Sequence, residues 1–162
     1  MVKATDIIGR RVMAREGGQE IGKIADLFVD PTGKHVLGFL ISTGGLGGKK
    51  AAPWAALQAI GPDSVVLDSA GSVVQPDKVP EIKEILDKEL AVRGLQLHTT
   101  QGKTLGKIED FRFDEQSGAI EGFELSGGVF GHKSILPAPP SIELGKDVAF
   151  VAPEVEETIE KL

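Results

Sequence analysis

GKIADLFVD, Gly22 to Asp30, and GKIEDFRFD, Gly106 to Asp114, decide the fold of this 162-residue chain. In each stretch a Gly-Lys pair opens a strand and an Asp ends it. In the first, Ile24, Leu27 and Val29 are apolar with Phe28 between them, so the strand is expected to be buried on more than one side. Asp30-Pro31-Thr32-Gly33 then fits a type I turn, with Asp, Pro and Gly at their favoured positions. His35 to Ser42 reads as the return strand. Gly38 inside it predicts a bulge or a close approach by another backbone.

Working outward, residues 6–15 (DIIGRRVMAR) read as a short strand after a turn at Gly9, and Gly17-Gly18 as a tight hairpin. Downstream come a glycine-rich loop from Thr43 to Lys50 and a strand from Ser64 to Asp68; Ser72 to Gln75 is a candidate for one more. Pro80 to Leu90 reads as a helix: Pro80 suits its first position, Glu81 and Glu84 its positive end, and Ile82, Ile85, Leu86 and Leu90 share a face. At an offset of 84, fifteen of the 46 residues from Gly18 to Asp63 meet identical residues between Gly102 and Asp147, without a gap. PEIKEILDKEL (80–90) also resembles PEVEETIEKL (153–162), so a second helix is expected at the end. The first copy carries about 11 extra residues, near Asp68 to Lys78. The division expected is a β unit at 1–75, a linker helix at 76–91, a second β unit at 92–152 and a C-terminal helix at 153–162.

Composition narrows function by exclusion. The chain has no Cys, which removes disulfides, thiol nucleophiles and cysteine-ligated metals. No apolar run approaches the roughly 20 residues of a membrane-spanning helix, and the N-terminus has no apolar core of a signal peptide. A cytoplasmic location is the expectation. Net charge is −6, spread as +1 over residues 1–75, −2 over 76–92 and −5 over 93–162. An acidic chain is a poor candidate for direct nucleic-acid contact, which needs basic surface to displace counterions.

From GRRVMAREGGQEIGKIADLFVDPTGKHVLGFLIS through the glycine loop to APWAALQAIGPDSVVL, the chain resembles a PRC-barrel domain. The resemblance covers residues 4–70 well. It covers 92–152 less well, where Leu136-Pro137-Ala138 stands in place of Ala52-Pro53-Trp54. It implies an all-β fold with minor helices: two tandem small barrels of about six strands, each followed by a helix. In the reaction-centre H subunit and in a ribosome maturation factor, such domains dock onto other macromolecules. The function this implies is a non-enzymatic protein-binding or adaptor module with no cofactor and no membrane span. A homo-oligomer stays open. The alternatives are a regulator of electron transfer and a ribosome or RNA-processing accessory that docks on a ribosomal protein.

No catalytic grouping stands out. The loop 44–50 fails the phosphate-loop spacing, because Thr43 and Lys50 sit where Gly and Ser/Thr are required. Asp26 with Asp30, and Asp110 with Asp114, could pair as carboxylates, but turn and strand-end roles explain them better. His35, His98 and His132 do not correspond between the copies. The candidate partner-binding residues are Gly44, Gly45, Leu46, Gly47, Gly48, Lys49, Lys50 and Trp54. They lie in the near-neutral first copy, and the second has Ala138 and a single Lys133 at the matching places. Lys49 and Lys50 would steer an acidic partner, and Trp54, if exposed, would anchor it.

Overall fold

A computed structural model describes residues 1–45, 48–128, 131–138 and 141–162. The chain opens with β1 (Val2–Lys3) and a one-turn helix α1 (Ala4–Ile7). The first copy then forms β2 (Arg11–Ala14), β3 (Gln19–Val29), β4 (Val36–Ser42), β5 (Lys49–Pro53), β6 (Leu57–Ile60) and β7 (Ser64–Leu67). These make a six-stranded sheet in the order β5-β4-β3-β2-β7-β6. After helix α2 (Pro80–Asp87), the second copy forms β8 (Gln96–Thr99), β9 (Thr104–Phe113), β10 (Ile120–Ser126), β11 (Ser134–Pro137), β12 (Val148–Val151) and β13 (Glu160–Lys161). Their order is β12-β8-β9-β10-β11-β13, with β1 added beside β9. The chain is thus mostly β, with two sheets and few helices.

The duplication reaches the level of register. Leu27 faces Phe39 and Phe111 faces Phe123; Asp26 faces Leu40 and Asp110 faces Glu124. Both hairpins carry an irregularity at the same place, between Ile24 and Asp26 and opposite Glu124–Leu125. β7 runs parallel to β2, as β12 does to β8. The hairpin turn before β9 is one residue shorter than its counterpart, because Val12 pairs with Gly22 but Leu97 with Gly106. The 11-residue excess falls after β7, in two 3-10 turns (Ala70–Ser72 and Pro76–Lys78) that lead into α2.

The predicted turn at Asp30 is present: the Gly33 amide donates to the Asp30 carbonyl at 2.8 Å. Gly38 is a close-approach glycine. A Cβ there would meet the Ala52 carbonyl oxygen, and the tip of Ile82 at 3.1 Å. The missing side chain lets α2 lie on the outer face of the first sheet, where Ile82 and Ile85 bury Phe28 and Ala51.

Three expectations need correction. First, the strand ladders do not close. β5 and β6 end one sheet, β12 and β13 the other, and no ladder joins those ends among the described residues. Second, the units are not separate. One buried cluster runs through both copies, taking Leu27, Phe39 and Ile41 from the first and Phe111, Phe113 and Phe123 from the second. A β unit of about 70 residues buries only about 60% of its unfolded surface, so each half completes its core with the other. Third, residues 153–162 are not an α-helix. Pro153–Thr158 forms a 3-10 helix, and β13 pairs with β11. Val155 and Ile159 are the buried residues of this tail, and β13 covers an otherwise open edge. In the first copy the Ala51–Val74 bridge, with both hydrogen bonds at 2.8 Å, covers the corresponding edge.

Candidate functional site

The loop that the sequence singles out joins β4 to β5. Gly44 (φ +74°) and Gly48 (φ +72°) hold backbone conformations that suit glycine, and the Thr43 hydroxyl donates to the Gly48 carbonyl at 3.2 Å. A Cβ at Gly44, Gly45 or Gly48 would meet nothing within 4 Å, so these positions face open space. Leu46 and Gly47 lie outside the described residues.

Strand alternation separates the two lysines. Lys50 faces Ile41 across the ladder and shares that face with Ala52, both fully buried, so Lys50 sits at the rim of the core side. Lys49 faces Ser42, and Ser42 faces Lys23 on β3. Lys23 and Lys49 therefore lie on one face two strands apart, roughly 10 Å by strand spacing. Both are exposed, and neither joins an ion pair among the described residues. An open cleft of about 400 Å³ lies beside them, lined by Glu20, Ile21, Gly22, Lys23, Ser42, Thr43 and Gly44. The second copy keeps both lysines, as Lys107 and Lys133, each exposed and in no ion pair among the described residues, but it sets a carboxylate beside them. There Ser126, the counterpart of Ser42, donates to Glu109 at 2.5 Å, and Glu109 stands where the first copy has Ala25.

Trp54 is half-buried at the seam between the copies. It stacks on Phe39 with ring centroids 5.7 Å apart and meets Phe113 edge-on at 6.1 Å. Gly118 of the second copy lies beneath it, and a Cβ there would come within 3.0 Å of the indole. Its rim opens onto a cleft with Leu57, Gln58, Glu115 and Gln116. Trp54 thus holds the copies together, and it is not part of the lysine surface.

The acidic residues take structural roles. Asp30 accepts from the amides of Thr32, Lys34 and His35 at 2.8, 3.1 and 2.6 Å. Asp114 accepts from Gln116 and Ser117 at 2.7 and 2.9 Å, and these backbone donors, Ser117 foremost, hold its carboxyl below the usual range. His35 bridges to Ala119, His98 packs edge-on to Phe150, and His132 contacts the Lys133 carbonyl. No group of three or more metal-ligating side chains occurs among the described residues. No helix among them is long and apolar enough to cross a membrane.

One contact had no local signal in the sequence. Asp110 is 6% exposed and accepts from the Thr5 amide at 3.2 Å and from the Thr5 hydroxyl, so the second copy caps the helix at the start of the first. Lys3 and Arg112 both bond Glu124, at 3.1 and 2.9 Å, and fasten β1 to the same place.

No curated protein matches the chain. The family model for the PRC-barrel domain matches residues 1–74 and 91–157, the two copies that share these ladders. The chain belongs to the PRC-barrel domain family, as a tandem pair.

Proposed function

We propose that the chain is a non-enzymatic protein-binding module built from two PRC-barrel units, and that it presents the loop end of its first copy to an acidic protein surface. The observation that carries this reading is the exposed Lys23–Lys49 row, which has Ala25 where the matching Lys107–Lys133 row has Glu109, and no acidic partner among the described residues. Unpaired cations held on a rigid sheet speed encounter with an acidic partner and make association salt-dependent. The lysine surface is thus Lys23 with Lys49, and Lys50 belongs to the rim of the core.

The test is a comparison of captured proteins at low ionic strength, using the wild type, Lys23→Glu/Lys49→Glu and, as the matched control that includes Lys133→Glu, Lys107→Glu/Lys133→Glu. The expected outcome is one or more proteins retained by the wild type and by the second-copy control but lost from Lys23→Glu/Lys49→Glu and at high salt. Equal loss from both variants, or capture indifferent to salt, contradicts the reading.

A further inference from the structure

The internal duplication supplies a template for a second binding site. In the second copy, the outer edge of β9 is occupied by the chain's own start: Val2 pairs with Phe113 and Lys3 with Arg112. Ala4 and Ile7 are then fully buried, and Thr5 donates twice to Asp110. The same edge in the first copy is Phe28–Val29 with Asp26 beside it. No strand of the described residues pairs with that edge, since β2 reaches only Gln19 to Lys23.

The reason lies in the intervening residues. By the pairing of β8, the counterpart of Thr5 is Leu90, which has no hydroxyl to donate to Asp26. The counterparts of Val2 and Lys3 are Asp87 and Lys88, which end α2 and do not form a strand. What stands in their place is a cavity of about 210 Å³. Its walls include Leu27, Val29, Leu86 and Leu90, with the charged side chains Asp26 and Arg93 also in the lining. Asp26 is exposed where Asp110 is 6% exposed, and its one side-chain hydrogen bond among the described residues is from the Leu27 amide at 2.8 Å. Leu86, 44% exposed, is an apolar residue left open at the cavity.

We infer that this Asp26–Val29 edge is a docking slot for an extended peptide segment of a partner protein, one that repeats the chemistry of residues 2–5: a short strand followed by a small residue and a Ser or Thr. The strand would extend the first sheet through main-chain hydrogen bonds, and the hydroxyl would donate to Asp26. The cavity is smaller than the roughly 300–1,000 Å³ typical of small-molecule sites, which favours a peptide side chain over a free ligand. This deepens the protein-binding reading by naming the kind of segment bound. It does not depend on the Lys23–Lys49 row, whose reversal is expected to leave peptide binding unchanged.

The probe is an N-acetylated peptide of this chain's own residues 1–8, titrated into the full chain while backbone amide resonances are followed. Saturable shifts at residues 26–29 and at Leu86 and Leu90 are expected. Asp26→Ala, and separately a probe with valine in place of its threonine, are each expected to weaken binding about tenfold or more, the loss of a hydrogen bond to a charged group. Shifts confined to residues 110–113 would mean that the peptide only displaces the chain's own start, and would overturn the inference. So would no shift at millimolar probe, or an affinity indifferent to both changes. The altered probe tests the wild-type protein, so the result stands even if Asp26→Ala were poorly folded.

Discussion

Asp26 and Asp110 show how one residue type at one repeated position divides into two roles. Each bonds the amide that follows it at 2.8 Å, so the local backbone is the same in both copies. The difference lies in what arrives from elsewhere, Thr5 at Asp110 and the cavity at Asp26. Asp110→Ala removes a buried carboxylate that accepts two bonds from Thr5 and is expected to cost about 1–3 kcal/mol. Asp26→Ala, at an exposed place, is expected to change stability by less than about 0.5 kcal/mol. Urea unfolding of the two variants checks this, and equal losses would show that the two sites are not distinct. Of this pair, the sequence showed the shared strand position and nothing of the difference, because the partner of Asp110 lies 105 residues away.

The elements read most easily from sequence were those with local causes. The β3–β4 hairpin follows from Asp30-Pro31-Thr32-Gly33, and α2 from Pro80 with apolar residues at helical spacing. β1 and α1 carry no local signal, because a two-residue strand and a one-turn helix have little stability of their own. They exist through Asp110, Glu124 and the burial of Ala4 and Ile7. The C-terminal tail departs from the expected helix for a related reason: its resemblance to α2 is real, but the edge of β11 draws its last residues into a strand. Likewise the Lys49-Lys50 pair was visible, while its division between two faces depends on register with β4.

Glu124 ties β1 to β10's neighbourhood, and its pH dependence has a definite sign. Burial acts to raise its pKa, but the bonds from Arg112 and Lys3 outweigh burial, so the carboxyl sits below its usual value. A depressed carboxylate adds stability above its unfolded value, about 4.3, and that contribution is lost as pH falls through the folded value. Glu124→Gln is therefore expected to lower stability at pH 7, by up to about 1 kcal/mol for a pair still reached by solvent. The gap to the wild type should narrow below about pH 4. Thermal unfolding at pH 7 and pH 3 checks it, and a gap that widens in acid would contradict this assignment.

At the scale of the whole molecule, two copies of one β unit form one core. Trp54 stacks between Phe39 and Phe113, residues 2–7 cross to the second sheet, and the buried cluster has members from both copies. Sharing explains why neither ladder needs to close on itself: the inner face of each sheet has the other copy to cover it. It also explains why the copies could diverge at their edges, with one edge paired by the chain's start and the other unpaired among the described residues. The most direct test is equilibrium unfolding in urea, followed at once by Trp54 fluorescence and by amide exchange or resonance intensities of β9 and β10. Trp54 is the only tryptophan, so its emission reports the seam from the first copy. The account predicts one transition with coincident midpoints for both probes. A second copy that stays folded after the Trp54 signal is lost, or that unfolds before it, would contradict the shared core.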